Sequence, residues 1–68
     1  MWVRSQNGEI IVKVENVAIK DKKRVVSVSG TQIAFLGEYK SNKRVMEVLD
    51  EFQVAIEAED VLFQMPKE

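Results

Sequence analysis

Ser41-Asn42-Lys43-Arg44-Val45-Met46-Glu47-Val48-Leu49-Asp50-Glu51-Phe52-Gln53-Val54-Ala55-Ile56-Glu57-Ala58 is where the hydrophobic period of the chain lengthens from strand-like to helical. Val45, Leu49, Phe52 and Ile56 recur at steps of four, three and four, which places them on one helical face. Met46 and Ala55 widen this stripe, and Glu47, Asp50, Glu51 and Glu57 take the wet side. Ser41 suits the N-cap, because its side-chain oxygen can accept from a first-turn amide. The expected helix spans about residues 41–58. Its far end carries Glu57, Glu59 and Asp60, which oppose the helix macrodipole, so a basic neighbour is expected there.

Upstream of the helix the chain reads as strands. Ile10-Ile11-Val12-Lys13-Val14 is β-branched and follows Asn7-Gly8, a strong hairpin signal that makes Trp2-Val3-Arg4-Ser5 the first strand. Val17-Ala18-Ile19-Lys20 comes after a bulge or turn at Glu15-Asn16, and Asp21-Lys22-Lys23 reverses the chain. Strands at 24–29 and 32–39 then flank a tight turn at Gly30-Thr31. Downstream of the helix, Val61-Leu62-Phe63-Gln64-Met65 is a last short strand, closed by Pro66, which has no amide hydrogen for a ladder. The fold class that follows is α+β, in a single domain covering 1–68. It has an antiparallel meander sheet of about five strands, one amphipathic helix and a final short strand.

Hydrophobic residues make up 46% of the 68 and charged residues 31%, a globular composition. A core this small supplies only about 3–5 kcal/mol without a staple. With no cysteine and no histidine, neither a disulfide nor the usual zinc site is available. Self-association is the remaining staple, and the strands favour it. Val26 and Val28 point opposite to Val25, and Ile33 and Phe35 opposite to Ala34 and Leu36, so both sheet faces carry apolar side chains. One helix covers one face. A homodimer is the simplest cover for the other, the alternative being that short, twisted strands curl into a half-barrel.

The same absences exclude most catalysis. There is no imidazole base, no thiolate and no Ser-His dyad, and Gly8, Gly30 and Gly37 stand too far apart for a phosphate-cradling loop. An enzyme is not expected, and no cofactor is called for. Glu47, Asp50 and Glu51 read as a solvated face rather than a metal site. No apolar run approaches the roughly 18 residues of a membrane span, and Met1-Trp2-Val3-Arg4-Ser5 is not a signal peptide, so a cytoplasmic location is expected.

The net charge of −1 conceals a polarised chain: residues 1–44 sum to +5 and residues 45–68 to −6. A basic front half suits nucleic acid or a small anion, or else is a solvated surface facing the acidic helix. Nucleic acid is the less expected partner, because the only good helix is acidic and phosphates would repel it.

Trp2, Arg4, Ser5 and Gln6 form the densest cluster of recognition chemistry. An indole stacks on a base, a guanidinium holds a phosphate in two bonds, and hydroxyl and amide groups supply donors and acceptors. The structural alternative is that Trp2 anchors its strand and Gln6-Asn7 only turn the chain. Gln64 is a further candidate, between Phe63 and Met65, which are expected to pack under the helix. Arg44, with Lys43, sits in the first helical turn, where amides attract anions.

Met1-Trp2-Val3-Arg4-Ser5-Gln6-Asn7-Gly8 at one end resembles small proteins of phages and prophages of Gram-positive bacteria. So do Leu36-Gly37-Glu38-Tyr39-Lys40-Ser41, Val48-Leu49-Asp50-Glu51 and Phe63-Gln64-Met65-Pro66. Those proteins begin with a tryptophan–arginine–serine–glutamine signature and end in a phenylalanine–methionine–proline pattern. The resemblance spans most of the chain and is thinnest at about residues 16–31. It implies provenance, and assigns no functional residues. By that provenance, the expected role is counter-defence: a dimeric sponge that sequesters a nucleotide-derived immune signal. The alternative is a module that binds a host protein through the acidic helix or a sheet edge.

Overall fold

A computed structural model describes all 68 residues. The elements run β1 (Trp2–Arg4), β2 (Ile11–Lys13), β3 (Asn16–Lys20), β4 (Arg24–Ser29), β5 (Gln32–Glu38), α1 (Asn42–Glu57) and β6 (Leu62–Gln64). The α+β architecture, with one helix and a final short strand, is the one the periodicity predicts. Its strands divide into two three-stranded sheets, ordered β2-β1-β6 and β3-β4-β5. Only Val14 and Glu15 separate β2 from β3, and they carry the chain from one sheet to the other instead of closing a hairpin. The helix then serves as a crossover, so β6 returns parallel to β1, with Val3 opposite Phe63.

Each reversal has its turn chemistry. Gly8 takes a positive φ of 77° in the β1–β2 turn, and Gly30 one of 60° at the first position of the β4–β5 turn. Between β3 and β4 the left-handed positions fall on Asp21 and Lys22, at φ 54° and 65°. β5 contains a bulge: Val25 pairs with Gly37 and Val26 with Phe35, which leaves Leu36 as the extra residue. That kink turns Leu36 inward, where it is wholly buried.

The core lies between the helix and the two sheets and contains Val3, Val25, Leu36, Val45, Val48, Phe52 and Met65. The Phe52 and Phe63 rings stack with centroids 4.2 Å apart. Ser41 caps the helix as expected, its Oγ accepting from the Arg44 amide at 3.2 Å. The buried helical stripe is Val45, Val48, Phe52 and Ala55. The expected stripe shares Val45, Phe52 and Ala55 with it, and periodicity alone does not choose between Val48 and Leu49 for the remaining place. Val48 takes the wholly buried place that the expected stripe gave to Leu49. Leu49 is left half-buried at the margin, while Ile56 and Met46 stand in solvent.

Candidate functional site

Register puts three of the candidate residues together. Trp2 pairs with Lys13 and Leu62, and Arg4 with Ile11 and Gln64, so all six share the outer face of the first sheet. Trp2 is 44% exposed and stands as a surface ring rather than a core anchor. Arg4 folds over the turn, its Nε donating to the Gly8 carbonyl at 3.0 Å. The Gln64 amide donates to the Ser5 carbonyl at 3.3 Å and to the Met65 carbonyl at 3.0 Å.

Ser5, Gln6 and Arg44 lie elsewhere and are committed to the fold. Ser5 is buried; its Oγ donates to Asn7 Oδ1 at 2.6 Å and accepts from the Ile10 amide at 3.3 Å. Gln6 bridges β5 and the C-terminal tail. Its Nε2 donates to the Glu38 and Lys67 carbonyls at 2.9 and 2.8 Å, and its Oε1 accepts from the Glu38 amide at 2.8 Å. Arg44 Nε donates to the Glu68 carbonyl at 2.8 Å, and Nη1 reaches Glu47 at 3.3 Å and Glu51 at 3.2 Å. Its guanidinium also stands over the Tyr39 ring, 5.9 Å from the centroid. Of the two cations in the first helical turn, Arg44 is thus occupied and Lys43 enters no ion pair.

Tyr39 and Gly37 complete this clasp, and the sequence reading assigned neither a role. The Tyr39 hydroxyl donates to the Pro66 carbonyl at 2.7 Å. Burial, with a smaller contribution from Glu51 and partial relief from Arg44, pushes its pKa up to about 12. The available signals were a lone tyrosine and a glycine inside a strand. Segments from the two ends of the chain and from β5 thus meet in space: Gln6 holds Glu38, Tyr39 holds Pro66, and Gln64 holds Ser5. In this chain those segments build architecture.

A cleft of about 580 Å³ opens on the opposite end of the helix, between α1 and the β2–β3 connection. Its floor is apolar, from Val14, Val17, Leu49 and Phe52, and its rim carries Glu15, Glu59 and Asp60. Beyond Asp60 a shallower depression of about 410 Å³ lies over Phe63, Val54 and Ala55, edged by Asp50 and Glu51. The ion pair expected at this helix end is not made. The last turn holds no basic residue, and the four ion pairs of the molecule involve none of Glu15, Glu57, Glu59 or Asp60. No three carboxylates converge closely enough to hold a metal ion. No helix is long and apolar enough to cross a membrane. No protein-family model, curated protein or solved structure matches the chain.

Proposed function

We propose that this chain is a small non-enzymatic binding module whose partner is a protein, and that it acts as a dimer. The observation that carries the reading is how its side chains are committed. Arg44 and Gln6, two of the groups suited to an anionic ligand, are bonded within the chain, while apolar side chains face outward. A sponge for a nucleotide-derived signal would require Arg44 to release Glu47, Glu51 and the Glu68 carbonyl before it met a phosphate. The phage resemblance supports a bacterial host protein as the partner class and the host cytoplasm as the compartment.

The dimer reading rests on the outer face of the second sheet. Cross-strand pairing aligns Ala18 with Val26 and Phe35, and Val28 with Ile33, in two apolar rows. Ile33 and Phe35 are 60% and 48% exposed. A charged row of Lys20, Arg24 and Glu38 closes one end. Two such faces stacked about a two-fold axis bury apolar rows against each other and leave the charges at the rim. Native mass spectrometry with a panel of cyclic dinucleotides and ADP-ribose tests both parts. A dimer that takes up none of the panel is expected. A stoichiometric nucleotide adduct would overturn the protein-binding reading in favour of sequestration.

A further inference from the structure

We propose that the cleft between α1 and the β2–β3 connection receives a cationic segment of the partner, a bulky apolar side chain flanked by lysine or arginine. The inference rests on the protein-binding reading and names the chemistry of the partner.

Two independent features of the cleft select this occupant. Its floor of Val14, Val17, Leu49 and Phe52 offers apolar contact in a volume of about 580 Å³, enough for one aromatic or long aliphatic side chain. Its rim is net negative, Glu15, Glu59 and Asp60 standing against one cation, the α-amino group of Met1. Glu59 and Asp60 enter no ion pair, and Glu15 has only the Ser29 hydroxyl, at 2.9 Å. The α-amino group of Met1, which also borders the cleft, enters none either. The negative end of the α1 dipole points to the same place with no basic residue in its last turn. Such a field repels phosphates and attracts ammonium and guanidinium groups. The carboxylates are too dispersed for a metal ion, whereas side chains arriving on a flexible segment can reach them separately. The second depression beyond Asp60, with acids again at its edge, extends the same chemistry along the helix.

The probe is a capped tripeptide with phenylalanine between two lysines, titrated into the full chain and followed by amide NMR shifts. A matched peptide with glutamates for lysines is the control. Saturable shifts are expected at 14–17, 49–56 and 59–60, weakening as salt is raised. The paired change Glu59→Gln with Asp60→Asn should weaken binding by about five-fold, as two exposed charge pairs imply. Both side chains lie outside the core and make no hydrogen bond, so the variant keeps its fold, which the rest of its spectrum verifies. Equal shifts with the glutamate peptide, an unaffected variant, or no saturable shift at the cleft would each overturn the inference. Shifts confined to the Ile33 and Phe35 face would overturn it while leaving the protein-binding reading intact. The nucleotide adduct described above would instead remove that reading itself.

Discussion

Gly37 and Gln6 are packed so closely that a Cβ on Gly37 would stand 3.1 Å from Gln6 Cβ and 3.2 Å from Gln6 Oε1. The Tyr39 hydroxyl would be 3.2 Å away. Any side chain at this position pushes against both latches of the C-terminal tail. Gly37→Ala is therefore expected to cost about 1–3 kcal/mol, the usual range for overpacking a filled site. Because glycine removes both Gln6 contacts, Cβ included, adding Gln6→Gly should cost less than it does in the parent chain. Urea denaturation of the two single variants and the double variant measures this; strict additivity would mean that the two residues do not press on each other.

Tyr39 makes the clasp sensitive to alkali. Its pKa is raised from 10.0 to about 12, chiefly because burial disfavours the phenolate. Between those values the folded chain binds more protons than the unfolded one, so this group's stabilisation is complete below pH 10 and is lost as pH rises toward about 12. The informative quantity is the difference from Tyr39→Phe, in which contributions from all other groups cancel. That variant should lose about 1 kcal/mol at neutral pH, with the Pro66 carbonyl unpartnered, and the gap should close as pH rises. Since the chain has one tyrosine, phenolate absorbance follows the group directly. A midpoint near 10 in the folded protein would contradict the buried latch.

How much of this was legible depends on whether a residue acts locally. Asn7-Gly8, the Ser41 cap and the period change at the helix work within a few residues, and each reads correctly from sequence. The division into two sheets turns on Val14-Glu15, where nothing in the residue types separates a bulge from a crossing. The clasp was illegible for a stronger reason: Gln6 meets Lys67 across 61 positions and Tyr39 meets Pro66 across 27. Sequence chemistry correctly marked Gln6 and Arg44 as groups with much to bond. It could not show that the partners were the chain's own carbonyls and carboxylates.

The end of α1 holds a removable strain. Ala58 is the C-cap, and Glu59 follows in the left-handed region at φ 58°. The Asp60 amide reaches the Ala55 carbonyl and the Glu59 amide the Ile56 carbonyl, both at 3.0 Å, which is the Schellman pattern that glycine usually completes. Glu59→Gly removes the Cβ penalty and one charge opposing the dipole, and is expected to stabilise by about 0.5–1 kcal/mol. Glu59→Ala removes the charge alone and should gain no more than a few tenths. Comparing their denaturant midpoints separates the two contributions, and an alanine variant as stable as the glycine one would rule out backbone strain.

Ile33 offers the most direct handle on association. It is 60% exposed on β5, opposite Val28, in a row that the fold leaves uncovered. A lysine there can lay its stem along Val28 and keep its ammonium in water, so the monomer should change stability by no more than about 0.5 kcal/mol. In a two-fold dimer the same change presents a buried charge to each partner, which costs far more than the apolar contact it replaces. Ile33→Lys is therefore expected to run as a monomer in light-scattering chromatography at concentrations where the parent is a dimer, with an unchanged circular dichroism spectrum. Ile33→Val, which keeps the face apolar, should still dimerise. A dimer that survives the lysine must be held by other surfaces, and a parent chain that is monomeric throughout would leave the Ile33 and Phe35 face without a second copy to cover it.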